Sequence, residues 1–223
     1  MFDPHLEILP PAQKALWGEL HNTPASFVLY GGTGLSLRLG HRSSVDFDFF
    51  SSDSFLPGEL RKEISYLRGA ERLQSESNTL TCLVERLKHP VKISFFGGIP
   101  FGRVANPDLA RGGGIWVASM LDIAATKLKV IQERAEAKDY QDIAALLDHG
   151  LALQEALRAG LGIYGSLFNP MISLRALTFF EDGDLQTLGR PAKEILQQAV
   201  GKIRLERLTP LNVQSTRLDA GGG

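Results

Sequence analysis

The stretch LYGGTGLSLRLGHRSSVDFDFFS, residues 29 to 51, decides how the first half of this chain folds. It begins at the end of a β-rich segment, SFVLY, which stops at Gly31 and Gly32. The next segment, GLSLRLG, has the character of a short helix, and VDFDFF has the composition of a strand. The pattern therefore predicts a strand, a glycine turn, a short helix and a second strand.

The second strand carries two aspartates on one face. Successive side chains of a strand alternate between faces, so Asp46, Asp48 and Phe50 lie on one side while Phe47 and Phe49 lie on the other, together with the preceding valine. The backbones of the two aspartates are about 7 Å apart, which lets both carboxylates bind one or two divalent cations. Such hard oxygen ligands favour magnesium or manganese over zinc. The alternative is a solvated strand face on which the carboxylates bind nothing.

The glycine turn has the features of a phosphate-binding site. Gly31 and Gly32 allow positive φ and a close backbone approach to an anion, and Thr33 adds a hydroxyl at the start of a helix. The turn is neither a P-loop nor the G-x-G-x-x-G dinucleotide fingerprint, and a glycine pair alone is more often an ordinary turn. Followed within 14 residues by the D-x-D strand, however, it predicts metal-assisted binding of a nucleoside triphosphate.

Other segments before residue 115 predict more helices and strands. PAQKALWGELH and GELRKEISYLRG have the apolar spacing of helices, whereas TLTCLVERL and VKISFFG are typical of two strands joined by a turn at KHP. A mixed sheet with helices packed on it accounts for these elements. After the short strand IWVAS, nearly everything to residue 208 has a helical pattern.

These patterns predict an α+β fold with three regions. Residues 1–115 form the mixed-sheet core domain, residues 116–215 form a helical domain, and residues 216–223 form a frayed tail without apolar periodicity.

The helical domain contributes charged residues on apolar faces. On the helix around SMLDIAATKLKVIQER, Lys127 lies in the middle of the apolar stripe and Arg134 returns to nearly the same face. A buried lysine is costly unless it meets an anion, so we expect Lys127 to bind a triphosphate, with Arg134 supporting phosphate or an acidic partner. The alternative is a lysine that snorkels to solvent. On this basis, Lys127→Met should keep or raise stability.

Asp139, in AKDYQDIAALLDHG, allows two interpretations. It lies within the apolar stripe of that segment, where it can serve as an active-site carboxylate, or at a helix start, where it can cap free N–H groups. Asp142 lies at the rim of the stripe, where the first-turn dipole favours it.

Composition limits the classes of partner. Lys and Arg number 24 against 25 Asp and Glu, so the chain has no overall basic field to hold nucleic acid. The only cysteine is Cys82, which excludes an internal disulfide and fits a reducing compartment. No apolar run approaches the roughly 18 residues of a membrane span, so we expect a cytoplasmic protein with no membrane partner.

The motif GGTGLSLRLGHRSSVDFDFF resembles the signature of the AbiEii/AbiGii toxin family, within the DNA polymerase β superfamily of nucleotidyltransferases. The resemblance extends over most of the chain. It includes a glycine pair with Thr33, the run G-H-R-x-S-x-D-x-D, a later helical lysine, and a K-D-x-x-D segment. The matching residues are Gly31, Gly32, Thr33, Gly40, His41, Arg42, Ser44, Asp46, Asp48, Lys127, Lys138, Asp139 and Asp142.

The resemblance implies a nucleotidyltransferase-like core with an appended helical domain. It implies transfer of a nucleoside monophosphate from a nucleoside triphosphate to an acceptor hydroxyl, in some relatives the 3′ end of tRNA, with magnesium or manganese as cofactor. It also implies a toxin paired with a DNA-binding antitoxin. The catalytic residues expected are Asp46, Asp48, Lys127 and Asp139; the first two hold the metal. The substrate-binding residues expected are Gly31, Gly32, Thr33, Arg42, Ser44 and Arg134.

One position departs from the polymerase-like pattern. A third carboxylate often lies on a neighbouring strand, but the strand VKISFFG offers Ser94 there, with Lys92 on the same face. Serine is a poor metal ligand, so either the site works with two carboxylates and one firmly held metal, or Asp139 or substrate phosphates support a second metal. Ser94 also leaves a non-catalytic binding module as an alternative. A phosphotransferase acting at the γ-phosphate is a further alternative, because the same phosphate site could serve it. An RNA acceptor, as opposed to a protein or small molecule, requires a local cationic surface. The candidates are Arg38, Arg42, Lys129, Arg134, Lys193, Lys202, Arg204 and Arg207.

Overall fold

The computed structural model describes residues 1–220, which form two compact units. The first unit contains residues 1–102, residues 106–119 and the segment that begins at Ser215. The second unit contains residues 103–105 and 120–214. Among the helices of residues 1–220, none combines the length and apolar character that a membrane crossing requires.

The described part of the first unit is built on a seven-stranded mixed sheet. The strands are β1 (Val28–Tyr30), β2 (Phe47–Phe50), β3 (Glu71–Glu76), β4 (Thr79–Arg86), β5 (His89–Phe96), β6 (Asp108–Leu109) and β7 (Trp116–Val117). Their order across the sheet is β3-β4-β5-β2-β1-β7-β6. β1 is antiparallel to β2 and parallel to β7, and β2 is parallel to β5, so the segment that the sequence singled out forms the centre of the sheet.

Helices follow the expected distribution. The first unit contains α1 (Pro11–Trp17), α2 (Gly31–Leu39) and α3 (Pro57–Glu63), and the second unit contains α4 (Met120–Val130), α5 (Ala137–Asp148), α6 (Leu153–Tyr164), α7 (Pro170–Ala176) and α8 (Arg190–Gly201). The predicted α+β class, with a mixed sheet followed by helices, is confirmed.

The alternation predicted for the D-x-D strand is found in β2. Phe47 and Phe49 are fully buried, and Phe49 stacks on Phe95 of β5 with ring centroids 5.4 Å apart. Asp48 and Phe50 are half-buried on the opposite face. The prediction was wrong for the valine at position 45, which precedes the strand and is exposed. The aromatic core thus fixes the face on which the acidic side chain lies.

β3 is a strand that the sequence patterns missed. All six of its residues are exposed, so its side chains show no apolar alternation. It pairs antiparallel with β4 after a turn at Asn78, whose φ is +58°. The β4–β5 turn was predicted at KHP and lies at Leu87 and Lys88, both in the left-handed region that such two-residue turns require.

Arg38 links α2 to the β6–β7 edge of the sheet. Its guanidinium donates to the main-chain oxygens of Val117 and Ala118, each at 2.9 Å, and to Asp108 at 3.1 Å. The side chain is nearly buried. The part of Arg38 in an RNA-binding surface stays a prediction, and its donors already meet main-chain oxygens and the Asp108 carboxylate.

The C-terminal tail, predicted to be frayed, is packed in its first part. Leu218 is fully buried, and its backbone N–H donates to Ser52 Oγ at 3.0 Å. Arg217 forms an ion pair with Asp53 at 2.8 Å. A single buried leucine produces no periodicity, which is why the sequence pattern gave the wrong result; residues 221–223 of that prediction lie outside the described residues.

We expect Leu218→Ala to lower the free energy of unfolding of the first unit by about 2–5 kcal/mol, the usual cost of truncating a buried leucine. Urea denaturation followed by circular dichroism measures this change. The matched control is Val213→Ala at an exposed position, which should have little effect. Equal effects of the two substitutions would contradict the packing of the tail.

Candidate active site

The candidate site begins where β1 leads directly into α2. Gly31 has φ of +71°, a conformation that favours glycine, whereas Gly32 has no positive φ. A Cβ at position 31 would lie 3.6 Å from Asp48 Oδ2, so the carboxylate lies close to the start of the helix. Free N–H groups and the helix dipole make this end of α2 attractive to anions. The structure thus brings the predicted glycine turn and Asp48 together.

Two buried hydroxyls fix the segment that precedes β2. Thr33 Oγ1 donates to the main-chain oxygen of Asp46, and Ser44 Oγ lies 2.7 Å from Thr33 Oγ1. Because the single Thr33 proton goes to Asp46, Ser44 donates to Thr33. These bonds position the Asp46 backbone against α2. The substrate-binding roles of Thr33 and Ser44 stay predictions, since both hydroxyls have protein partners.

Register places Asp48 on the face opposite the aromatic core, and the contact of Asp46 with Lys92 places Asp46 near the same face. Asp48 pairs with Tyr30 of β1 and with Ser94 of β5. Asp46 lies just before β2, and its Oδ2 is 3.4 Å from Nζ of Lys92, on the same face of β5 as Ser94. Ser94 therefore occupies the neighbouring-strand position that the sequence analysis assigned to it. Lys92, which the sequence analysis placed on the same face as Ser94, offsets the charge of Asp46.

The donor set fits a magnesium or manganese ion that keeps several non-protein ligands. Asp46 and Asp48 supply hard oxygen donors, and Asp46 is half-exposed. Within the part of the chain that the structure describes, no third histidine, cysteine or acidic side chain joins them in a metal-binding group. Water and substrate phosphates would have to complete the coordination, which is the usual arrangement for magnesium at phosphate sites.

Arg42, predicted to bind substrate, is half-buried in the loop before β2. Its Nη1 donates to the main-chain oxygen of Ser43 at 3.0 Å. This bond is local, and the substrate-binding role of Arg42 stays a prediction.

The second unit contains a buried ionic cluster. Lys127 of α4 is 6% exposed, and its Nζ lies 2.7 Å from Asp139 Oδ1 and 2.6 Å from Asp142 Oδ2, both on α5. Both carboxylates are completely buried. Arg134 donates from Nε to the other oxygen of Asp139 at 2.9 Å and also pairs with Glu136. The cluster therefore joins α4 to α5 through charge-assisted bonds.

These contacts decide between the interpretations left open above. Lys127 does not snorkel, because its ammonium group meets two buried carboxylates. Asp139 is engaged by Lys127 and Arg134 and does not act as a helix cap. Arg134 has the acidic partner that was one of its two expected roles. The catalytic roles of Lys127 and Asp139 stay predictions, since protein groups already satisfy their charges.

Electrostatics favour the ionised form of Asp139. Burial opposes ionisation, but the charges and hydrogen bonds of Lys127 and Arg134 outweigh it and hold the pKa of Asp139 below its ordinary value. A negative charge on Asp139 is therefore part of the folded structure at neutral pH.

Asp142 is the residue whose importance the sequence reasoning missed. It was placed at the rim of α5, but it is completely buried and contacts Lys127. The available signal was its spacing: residues three apart on a helix share a face, so Asp142 lies beside Asp139. The K-D-x-x-D motif contained this information.

Comparisons with known proteins agree with this architecture. The family model described as "Nucleotidyl transferase AbiEii toxin, Type IV TA system" matches residues 15–200. An uncharacterized protein of Aquifex aeolicus (strain VF5) is 33% identical over 162 residues, which cover 70% of this chain and 74% of that relative.

Two solved structures show a similar fold. MenT4, a nucleotidyltransferase toxin from Mycobacterium tuberculosis H37Rv, aligns with a TM-score of 0.57 and 16% identity, covering 86% of this chain and 84% of its own. A protein from H. pylori, provisionally described as a nucleotidyltransferase, aligns with a TM-score of 0.54 and 18% identity, covering 85% of this chain and 92% of its own.

We expect Lys127→Met to lower the free energy of unfolding by about 3–5 kcal/mol, because it leaves two buried carboxylates without their cation. This reverses the expectation from the sequence, which had no protein anion beside the lysine. Urea denaturation measures the loss. The control is Lys129→Met on the same helix, which removes only the surface pair with Glu133 and should cost about 0–1 kcal/mol. The triple variant Lys127→Met/Asp139→Asn/Asp142→Asn should regain part of the loss; a stable single variant would contradict the cluster.

Acid should weaken the same cluster. Asp139 has a depressed pKa in the folded state, so its stabilising effect is complete above the ordinary value of about 3.9 and is lost as pH falls through the folded value. Asp139→Asn should therefore be less stable than the native chain at pH 7, with a difference that narrows below about pH 4. Melting temperatures from pH 7 to pH 3 test this. Asp148→Asn, at an exposed position, serves as the control. A difference in melting temperature between Asp139→Asn and the native chain that stays constant with pH would contradict the prediction.

Proposed function

Because the chain belongs to the AbiEii family of nucleotidyl transferase toxins, we propose that it transfers a nucleoside monophosphate from a nucleoside triphosphate to an acceptor hydroxyl. The observation that carries this proposal is the approach of Asp48 to Gly31 at the start of α2, with Asp46 on the same face of the sheet. Carboxylates that hold a divalent cation next to a helix N-terminus match the needs of a triphosphate.

Residues of the first unit have different roles in the proposed reaction. N–H groups at the start of α2 bind phosphate oxygens, while Asp46 and Asp48 hold magnesium or manganese. The bound ion supplies charge neutralisation to the phosphates. The acceptor hydroxyl loses its proton to solvent as its oxygen bonds to the α-phosphorus, the bond from that phosphorus to the bridging oxygen breaks, and pyrophosphate leaves. Catalysis would consist mainly of positioning and charge stabilisation.

The roles of Thr33 and Ser44 in this scheme are best described as positioning. Their hydroxyls hold the main chain of Asp46 beside α2, and so aim its carboxylate. Arg42, next to this segment, stays our candidate for contact with the substrate. In the second unit, a triphosphate would have to compete with Asp139 and Asp142 for Lys127, which favours a structural role for that lysine.

We propose RNA as the acceptor, with a tRNA 3′ end as the specific candidate, and an antitoxin as a partner. The family description as a type IV toxin–antitoxin system supports the antitoxin. Incubation with each of the four α-³²P-labelled nucleoside triphosphates, magnesium, and total RNA or total protein identifies both the nucleotide and the acceptor. Label on protein alone would contradict the RNA acceptor while leaving the transfer reaction intact.

We expect Asp46→Asn and Asp48→Asn each to abolish magnesium-dependent transfer while leaving the fold intact, because both side chains are outside the aromatic core. Transfer is measured as release of pyrophosphate, and folding by circular dichroism. Asp148→Asn, which removes an exposed carboxylate in the second unit, is the matched control and should remain fully active.

The product separates the rival activities. Pyrophosphate supports nucleotidyl transfer, whereas a nucleoside diphosphate would indicate phosphoryl transfer at the γ-phosphate. Full activity of the Asp46→Asn/Asp48→Asn variant would show that the site is wrong. Nucleotide binding without any turnover would favour a non-catalytic module, consistent with Ser94 beside Asp48.

A further inference from the structure

A second, strongly basic pocket lies in the first unit, between α3 and the β3–β4 hairpin. Its volume is about 530 Å³, within the range of small-molecule sites. Its lining includes Arg61, Lys62, Arg68 and Arg72, and none of the described residues that line it is acidic. Four positive charges thus converge on one cavity of a chain whose net charge is −1.

The four cations lack the acidic partners that other cations of the chain have. Within residues 1–220, none of the four forms an ion pair, whereas Arg86, Lys127 and Arg217, for example, each pair with a carboxylate. Like charges that share a cavity repel one another unless an anion enters. The pocket therefore has an electrostatic preference for a negatively charged ligand.

Arg61 is held in place for such a ligand. Its Nη2 donates to the main-chain oxygen of Ala70 at 2.7 Å, and its side chain is half-buried. This one bond fixes the guanidinium and leaves its other donors for a ligand. Arg72 of β3 pairs with Cys82 of β4. Burial raises the pKa of the Cys82 thiol, and the charges of Arg61 and Arg72 partly oppose that rise.

Two glutamates near the basic pocket, Glu71 and Glu85, line a different cavity. Glu71 and Glu85 border the neighbouring cavity together with Arg86, which pairs with Glu19. Arg68 borders both cavities and forms no ion pair with either glutamate within the described chain. Neither of these two acids lines the basic pocket, and neither do Glu59 and Glu63 of α3 or Glu76 of β3.

We propose that the basic pocket is a phosphate-binding site, separate from the site at Gly31, Asp46 and Asp48, for the phosphates of a nucleic-acid strand or of a free oligophosphate. Arginine recognises phosphate through paired N–H donors, and three of the four cations are arginines. An alternative explanation for these positive charges is protection of the edge strand β3, since charged side chains prevent edge strands from pairing between molecules. That explanation covers Arg72 on β3 but not the cations that precede the strand.

The test compares Arg68→Gln/Arg72→Gln with the native chain. Both side chains are exposed, so the fold should tolerate the change. The probes are tripolyphosphate, by calorimetry, and a labelled single-stranded RNA of about a dozen nucleotides, by fluorescence anisotropy, which approximates one strand-binding site. Both measurements contain EDTA, so that metal-dependent binding at Asp46 and Asp48 does not contribute. The matched control, Lys14→Gln/Arg175→Gln, removes two exposed positive charges elsewhere.

We expect the pocket variant to lose at least about tenfold in affinity for one or both probes, a difference of about 1.4 kcal/mol. If RNA binds, its log–log salt slope should become shallower by about 1.4, or roughly 0.7 for each of two lost phosphate contacts. The control should change neither quantity. Binding of RNA alone identifies a strand as the phosphate source, and binding of tripolyphosphate alone identifies a free oligophosphate.

Three results would overturn the proposal: native chain that binds neither probe near physiological salt, native-like affinity in the pocket variant, or equal losses in the variant and its control. Size-exclusion chromatography distinguishes the edge-strand explanation from the phosphate-binding proposal. If the charges only protect the edge strand, the variant should self-associate while its affinity for phosphate is unchanged. The readouts are binding constants without metal, so failure of nucleotidyl transfer would not change them.

Discussion

The close approach of Asp48 to Gly31 is the constraint on which the candidate site depends. Gly31 adopts a left-handed φ so that β1 can lead directly into α2, and a Cβ at this position would lie only 3.6 Å from the carboxylate of Asp48 on β2, in ordinary contact. The antiparallel pairing of β1 with β2 places Asp48 directly beside Tyr30, the last residue before the turn. One backbone conformation therefore sets both the helix N-terminus and the position of the acid.

Local patterns were enough to predict this part of the molecule. Alternation in VDFDFF identified Phe47 and Phe49 as core residues and placed Asp48 on the opposite face of the strand. This works because the side chains of a strand have a period of two regardless of its partner strands. The glycine pair identified the left-handed position at Gly31, since positive φ is a property of single residues, but both glycines belong to α2 and Gly32 has no positive φ. The same alternation predicted that Ser94 and Lys92 share a face of β5, whereas the register that places Ser94 beside Asp48 comes from the structure.

Interactions between distant segments could not be predicted in this way. The helical wheel showed that Lys127 needed an anionic partner. That partner is Asp139, which lies 12 residues away on another helix, and the sequence alone did not distinguish it from the phosphate of a substrate. Leu218 contacts a segment more than 160 residues earlier, so its burial left no local pattern. β3 is held by backbone pairing at an exposed edge, where side-chain periodicity carries no information.

The distribution of cations has a consequence for substrate binding. Arg38 satisfies main-chain oxygens, and Lys127 neutralises buried carboxylates, so two prominent basic residues are engaged within the protein. Near the two aspartates, Lys92 already offsets Asp46. A triphosphate that approached these carboxylates would be repelled unless a divalent cation bound both the carboxylate oxygens and the phosphate oxygens. The charge balance thus supports the proposed use of a divalent cation and of the N–H groups of α2, because the nearby lysine does not supply enough positive charge for both carboxylates and a triphosphate.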